Sequence, residues 1–230
     1  MPHHASAWEL LISGDATLYG IVQLSLTVSL LALVFAAIIG LPLGALIGLT
    51  RFRGRAALIV LMNALMGLPA VAVGLAVFLL LSRSGPFGSL GLLFTPAAMV
   101  VAQTILIVPI ITALTRQTVE DLWEEYRDEL LALEITPSGR VATLLWDARF
   151  SLITILLTGF GRAAAEVGTV MIVGGNIDGF TRTMTTTIAL ETSKGNLPLA
   201  MGLGMILITL ILIINAGAWG VRSWSEQHAG

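Results

Sequence analysis

Between positions 18 and 49 the chain carries no charged side chain. This one run already exceeds the roughly 20 apolar residues that a helix needs to cross a bilayer. Four more apolar runs follow, at about 56–81, 96–114, 150–173 and 197–221. A soluble core has no use for five such runs, and the composition agrees. Of 230 residues 56% are hydrophobic and 11% charged, against about 25% charged in soluble domains. In hydrocarbon every backbone N–H and C=O must be paired within the protein, which leaves helices or closed barrels. Uninterrupted runs, 24 glycines and few aromatics select helices, because barrel strands alternate apolar with polar residues and carry aromatic girdles. The expectation is an all-α, multi-pass membrane protein with about five transmembrane helices and the lipid bilayer as its surroundings.

Along the chain, residues 1–17 read as a polar-to-mixed external segment without the basic start and short apolar core of a cleavable signal peptide. His3 and His4 stand as a solvated tail rather than a metal site, and no metal ligand set is expected. The first run must tilt or begin along the interface; Gly40, Pro42, Gly44 and Gly48 read as a kinked packing face, since small residues let helices approach closely. Gly67, Pro69 and Gly74 interrupt the second run. Residues 83–89 form a polar turn. Past Arg116 the character changes: Glu120, Asp121, Glu124, Glu125, Asp128, Glu129, Glu134 and Asp147 are more than half of the 14 acidic residues. Leu122, Tyr126, Leu130 and Leu133 recur among them at helical spacing, which predicts an amphipathic helix broken at Thr136-Pro137-Ser138-Gly139. The fourth run holds Arg162 and Glu166 one turn apart and ends at Gly174-Gly175-Asn176. A threonine-rich segment leads to the fifth run, and residues 223–230 form a tail.

Five spans place the termini on opposite sides. With the N-terminus outside, Arg51, Arg53, Arg55, Arg116, Arg127, Arg140, Arg149 and Arg222 are cytoplasmic, and only Arg83, Arg182 and Lys194 are external; the positive-inside rule favours that choice. The acidic helix is then cytoplasmic, at about 118–147, and the threonine-rich loop, at about 174–196, external. A merely solvated loop needs no apolar stripe, whereas docking into a groove of a cytoplasmic partner does. Arg162 and Glu166 are costly in lipid and belong in a bundle interior or a water-filled passage. They read equally as a self-neutralised structural pair and as contacts to a permeant anion. Thr181, Arg182 and Thr183 suit an oxyanion, although helix capping by threonine is the simpler account.

An enzyme is excluded by inventory. The histidines are His3, His4 and His228, cysteine is absent, and the single Lys194 is followed by Gly195, so no Gly-Lys-Ser/Thr phosphate loop exists. No cofactor and no nucleic-acid partner are expected. A stand-alone channel or secondary carrier would not need the acidic helix, and a carrier often shows paired repeats, which are not evident.

Residues 129–131, Glu-Leu-Leu, with Glu134 near the place of a glycine and Leu145-Trp146 near that of Leu-Pro, resemble the cytoplasmic coupling loop of ABC importer permeases. Gly-Arg-Ala-Ala-Ala-Glu-Val-Gly at 161–168, Val-Gly-Gly-Asn-Ile at 173–177 and Thr-Arg-Thr-Met-Thr-Thr at 181–186 resemble the oxyanion branch of that family more specifically. The likeness is greatest to tungstate permeases and next to molybdate permeases. It implies a MetI-like type I importer fold over 18–222 and alternating access for an oxyanion. The implied partners are a second copy of the chain, a cytoplasmic ATPase that uses the ATP, and an extracytoplasmic solute-binding protein, which Arg182 could meet. For the ATPase contact it implies Tyr126, Glu129, Leu130, Leu133, Glu134 and Gly139. For the outer gate and translocation path it implies Arg162, Glu166, Gly168, Gly174, Gly175, Asn176, Thr181, Arg182 and Thr183.

Overall fold

The computed structural model describes the backbone of residues 16–228 and the side chains of residues 18–220. The two terminal segments expected from sequence, with His3 and His4, and the Arg222 side chain therefore lie outside the described residues, wholly or in part. The helices are α1 (Ala16–Leu49), α2 (Arg55–Met66), α3 (Ala70–Leu81), α4 (Pro96–Ala132), α5 (Pro137–Asp147), α6 (Arg149–Ala164), α7 (Gly168–Gly174), α8 (Met184–Ser193) and α9 (Leu197–His228), with one 3-10 turn at Gly88–Leu90. No strand occurs among the described residues. Three helical stretches, Leu18–Leu49, Pro96–Ala132 and Leu197–Gly220, are long and apolar enough to cross a membrane. Two bent pairs, α2 with α3 and α5 with α6, raise the number to five if each is one span.

Two boundaries differ from the sequence expectation, and a third falls where Gly67 and Pro69 already interrupt a run. The second run is two helices parted at Gly67-Leu68-Pro69, because Pro69 has no N–H to donate and Gly67 closes α2 by donating to Ala64 O. The third run does not stop where charge begins, since α4 continues without a break to Ala132. Backbone hydrogen bonding is indifferent to whether the helix surface faces lipid or water. The fourth run is not one helix: it breaks at Ala165-Glu166-Val167 between α6 and α7.

The residues form two compact units. One comprises Leu33–Leu68 and Thr104–Phe160. Here the glycines of α1 make the contact with α4: an added Cβ would lie 2.6 Å from Thr112 O at Gly44, 2.9 Å from an Ile111 methyl at Gly40 and 3.2 Å from Arg116 O at Gly48. Pro42 lies inside α1 without ending it. Ala45, Val119, Leu130 and Leu144 form the core of this unit, with Leu122, Trp123, Tyr126 and Leu145 packed around them. The apolar stripe of the acidic helix is thus covered largely by α1 and α5 of the same chain. Leu133 is the exception, 70% exposed.

The turn after α4 is also displaced. Glu134 takes a left-handed φ of 50° and closes α4 by donating its N–H to Leu131 O, the αL helix ending that glycine usually supplies. Thr136 then caps α5, its hydroxyl accepting from Gly139 N at 3.2 Å, with Pro137 in the first turn. Pro137-Ser138-Gly139 therefore opens a helix instead of making the turn.

The second unit comprises α1 up to Ala32, Pro69–Gln103 and the chain from Gly161 onward. In it α3 packs on α7 and α8 on α9. Gly74 permits the first contact, since a Cβ there would fall 2.9 Å from Thr169 Cα.

Candidate functional site

The break in the fourth run is held by side chains from several helices. Two of its three residues, Ala165 and Glu166, bond to Gly161 O and Ala163 O, as in a tightened helix end. Glu166 is 5% exposed, and both carboxylate oxygens are engaged. Oε2 lies 3.0 Å from Arg162 Nη1, and Oε1 accepts from Thr169 N at 3.1 Å, so the side chain serves the first turn of α7. Its carbonyl accepts from Thr185 Oγ1 at 2.8 Å. A broken helix exposes backbone groups that hydrocarbon cannot satisfy, and here neighbouring hydroxyls and amides take them up. Gln103 Nε2 donates to Ala163 O at 3.1 Å and Thr169 Oγ1 donates to Ala70 O at 2.6 Å. Ser25 Oγ donates to Ile21 O and accepts from Met184 N, at 2.7 and 2.8 Å.

Beside the break is a cavity of about 10 Å³ bordered by Ser25, Ser29, Gln103, Glu166, Thr183 and Thr185. That is about the room for one water, too little for a tetrahedral oxyanion. Arg162 is set apart: its side chain is 36% exposed, and a guanidinium has five N–H donors.

The loop after α7 is fastened by its own side chains. Gly175 is left-handed at φ 73°, as are Asn176 at 50° and Gly179 at 67°. Thr181 Oγ1 donates to Gly174 O at 2.6 Å and accepts from Ile177 N at 2.9 Å, which ties the two ends of the turn. Arg182 pairs with Asp178 at 2.9 Å. Gly174 and Gly175 leave no room for a side chain, because a Cβ would lie 2.8 Å from Met99 Sδ and from the Phe94 ring respectively. Phe94 N donates to Val173 O, which ties its backbone to the end of α7. Thr183 caps α8 in a reciprocal capping box with Thr186, and Thr185, Thr186 and Thr187 are buried. Capping and internal bonding thus account for the threonine-rich stretch. At the other end of α8, Lys194 Nζ and Asn196 Nδ2 bond Glu191 at 2.8 and 2.9 Å, and these bonds hold its carboxyl below the usual carboxylate range.

Arg162, Glu166, Gly168, Gly174, Gly175, Asn176, Thr181, Arg182 and Thr183 all lie in one unit. Arg162, Glu166 and Thr183 border the polar break, and the others belong to α7 or the loop after it. In the other unit Leu130 is a core residue and Tyr126 packs half-buried against that core, Glu129 and Glu134 are exposed, and Gly139 lies against Ile135. Sequence reading missed Ser25, Gln103, Thr169, Thr185 and Glu191. The first two had a signal, each being an uncharged polar residue inside an apolar run. Thr169 and Thr185 had none, since hydroxyls are common in membrane helices. No cluster of three His, Cys, Asp or Glu side chains that would hold a metal occurs among the described residues.

Apolar helices of spanning length, together with a helix break whose charged and hydroxyl groups are bonded inward, are those of a membrane-embedded helical protein. A protein of Haloferax volcanii named probable anion ABC transporter permease protein is 41% identical over 204 residues, 86% of this chain and 88% of that one. Tungstate uptake system permease proteins TupB are similar as well. That of Peptoclostridium acidaminophilum is 39% identical over 217 residues, 94% of this chain and 95% of its own. That of Campylobacter jejuni is 36% identical over 206 residues, 90% and 86%. No protein-family model matches the chain. The chain belongs to the ABC transporter permeases of this anion-uptake group, the non-catalytic membrane subunits of such systems.

Proposed function

We propose that this chain translocates tungstate as one of two identical permease subunits in an ATP-driven importer. Relatives named for tungstate uptake, 39% and 36% identical over most of their length, support the substrate. Molybdate, so close in size and charge, is the competing cargo. The chain holds no cofactor; ATP is used by an ATPase docked on the cytoplasmic side, and a solute-binding protein delivers the oxyanion from outside.

The observation that carries the mechanism is the Glu166 break. A carboxylate that is 5% exposed, with Arg162 on one oxygen and Thr169 N on the other, acts as a latch between α6 and α7, not as a ligand for an anion it would repel. Arg162 is the group with donors to spare for the cargo. The ATPase moves the surface formed by Glu129, Leu133 and Glu134, α6 re-aims, and the latch opens the passage to alternate sides. Tungstate, molybdate and sulfate uptake should be measured in vesicles bearing the whole importer, with wild type, Arg162→Gln and Leu133→Ala. Uptake preferring tungstate, reduced in both variants at normal assembly, is expected. Sulfate preference, or wild-type uptake in both variants, would overturn the reading.

A further inference from the structure

We infer that the cleft between the end of α1 and the acidic half of α4 binds the phosphate of an anionic membrane phospholipid. The cleft is about 300 Å³, and its charged walls are Arg51, Arg55, Glu120, Glu124 and Arg127. Three guanidinium groups thus face two carboxylates, and one of those carboxylates is already spoken for. Glu120 is bonded to Arg55 through one oxygen and to Arg116 through the other. Arg55 also donates to Ile47 O at 2.9 Å, closing the end of α1. Among the described residues Arg51 and Arg127 have no carboxylate within ion-pair distance. They are exposed and border the same cleft. The surplus is positive, and arginine is the side chain best matched to phosphate geometry.

Position selects the source of that phosphate. The cleft opens where the apolar run Leu18–Leu49 ends, next to Gly48, Leu49 and the Trp123 ring. Phe52, next to Arg51, is 46% exposed. An apolar surface ending at an arginine pair and an indole is the profile of a headgroup boundary. A lipid headgroup at the Leu49 and Trp123 edge of the cleft would meet Arg51 and Arg127, while basic pockets between spans at this depth are suited to anionic headgroups. Choline and ethanolamine headgroups carry their own cation, which the surplus of arginine disfavours. Glycerol headgroups do not.

The delipidated full chain in neutral detergent should be offered phosphatidylglycerol and phosphatidylcholine of identical acyl chains, and bound lipid counted by native mass spectrometry. Phosphatidylglycerol should be preferred, and Arg51→Gln and Arg127→Gln should each lower the preference roughly fivefold, from the worth of one arginine at an anionic surface. Arg53→Gln, beyond the cleft, should leave it unchanged. Arg51 and Arg127 are both exposed, so the variants should keep the wild-type melting temperature, measured alongside. Equal retention of the two lipids, or a preference that survives both cleft variants, overturns the inference. So does displacement of phosphatidylglycerol by inorganic phosphate in the same arginine-dependent manner, which would make this a site for a soluble anion.

Discussion

Replacing Glu166 tests the latch most directly. In Glu166→Ala two bonds disappear together. Thr169, wholly buried, keeps an N–H with no acceptor, which costs about 1–3 kcal/mol. Arg162 loses its partner at 3.0 Å, but with 36% of its side chain exposed water can replace much of that, leaving roughly 1 kcal/mol. The sum is roughly 2–4 kcal/mol. Glu166→Gln retains an acceptor for Thr169 N and should lose only the ionic share, about 1 kcal/mol. The assay is denaturation of the purified chain in mixed micelles, run as a double-variant cycle with Arg162→Gln. If the two side chains act as one latch, the double variant costs no more than the larger single one. Independent addition of the two effects within about 0.3–0.5 kcal/mol would refute the reasoning. A fully stable Glu166→Ala would refute it more simply.

Leu130 and Leu133, three residues apart, should separate stability from coupling. Leu130→Ala empties part of a core and should cost about 2–5 kcal/mol, whereas exposed Leu133→Ala should leave unfolding within about 0.5 kcal/mol yet weaken the link between ATP hydrolysis and uptake in the assembled importer. Gly44→Ala forces a methyl toward Thr112 O, where its Cβ would be 2.6 Å away, and should cost about 1–3 kcal/mol; Gly20→Ala, with nothing within 4 Å, is its neutral control in the same denaturation assay. Glu191 has a depressed carboxyl pKa, so its contribution is present above the ordinary Glu value of about 4.3 and is lost as pH falls toward the depressed value. Glu191→Gln should therefore flatten the acid limb of a melting-temperature profile, and an unchanged acid limb would show that Lys194 and Asn196 do not stabilise the carboxylate.

Some contacts of the candidate site were legible in the sequence. Arg162 and Glu166 stood out because charge inside an apolar run is costly, and they do meet. Gly40, Gly44 and Gly48 repeated at one-turn spacing, and they are the α1–α4 contact. Glu134, read as near a glycine place, takes a left-handed φ of 50°. Other features were hidden for definite reasons. The stripe of Leu122, Tyr126 and Leu130 suggests a surface awaiting a partner, but periodicity reports that a face is apolar, not what covers it. The break at Ala165-Glu166-Val167 lies in a sequence of good helix formers. It is compensated by Thr185, 19 residues on, and Gln103, 60 residues or more back, which no local pattern reveals.

By itself, the sequence determined the solvent, the helical class and the approximate number of spans, because hydrophobicity summed over 20 residues dwarfs any local preference. It also marked which charges had to be paired. Tertiary structure alone decided where helices end, which apolar faces are already occupied and what Glu166 bonds. Those outcomes depend on donors and acceptors from distant segments meeting at about 3 Å, a condition that only the folded chain imposes.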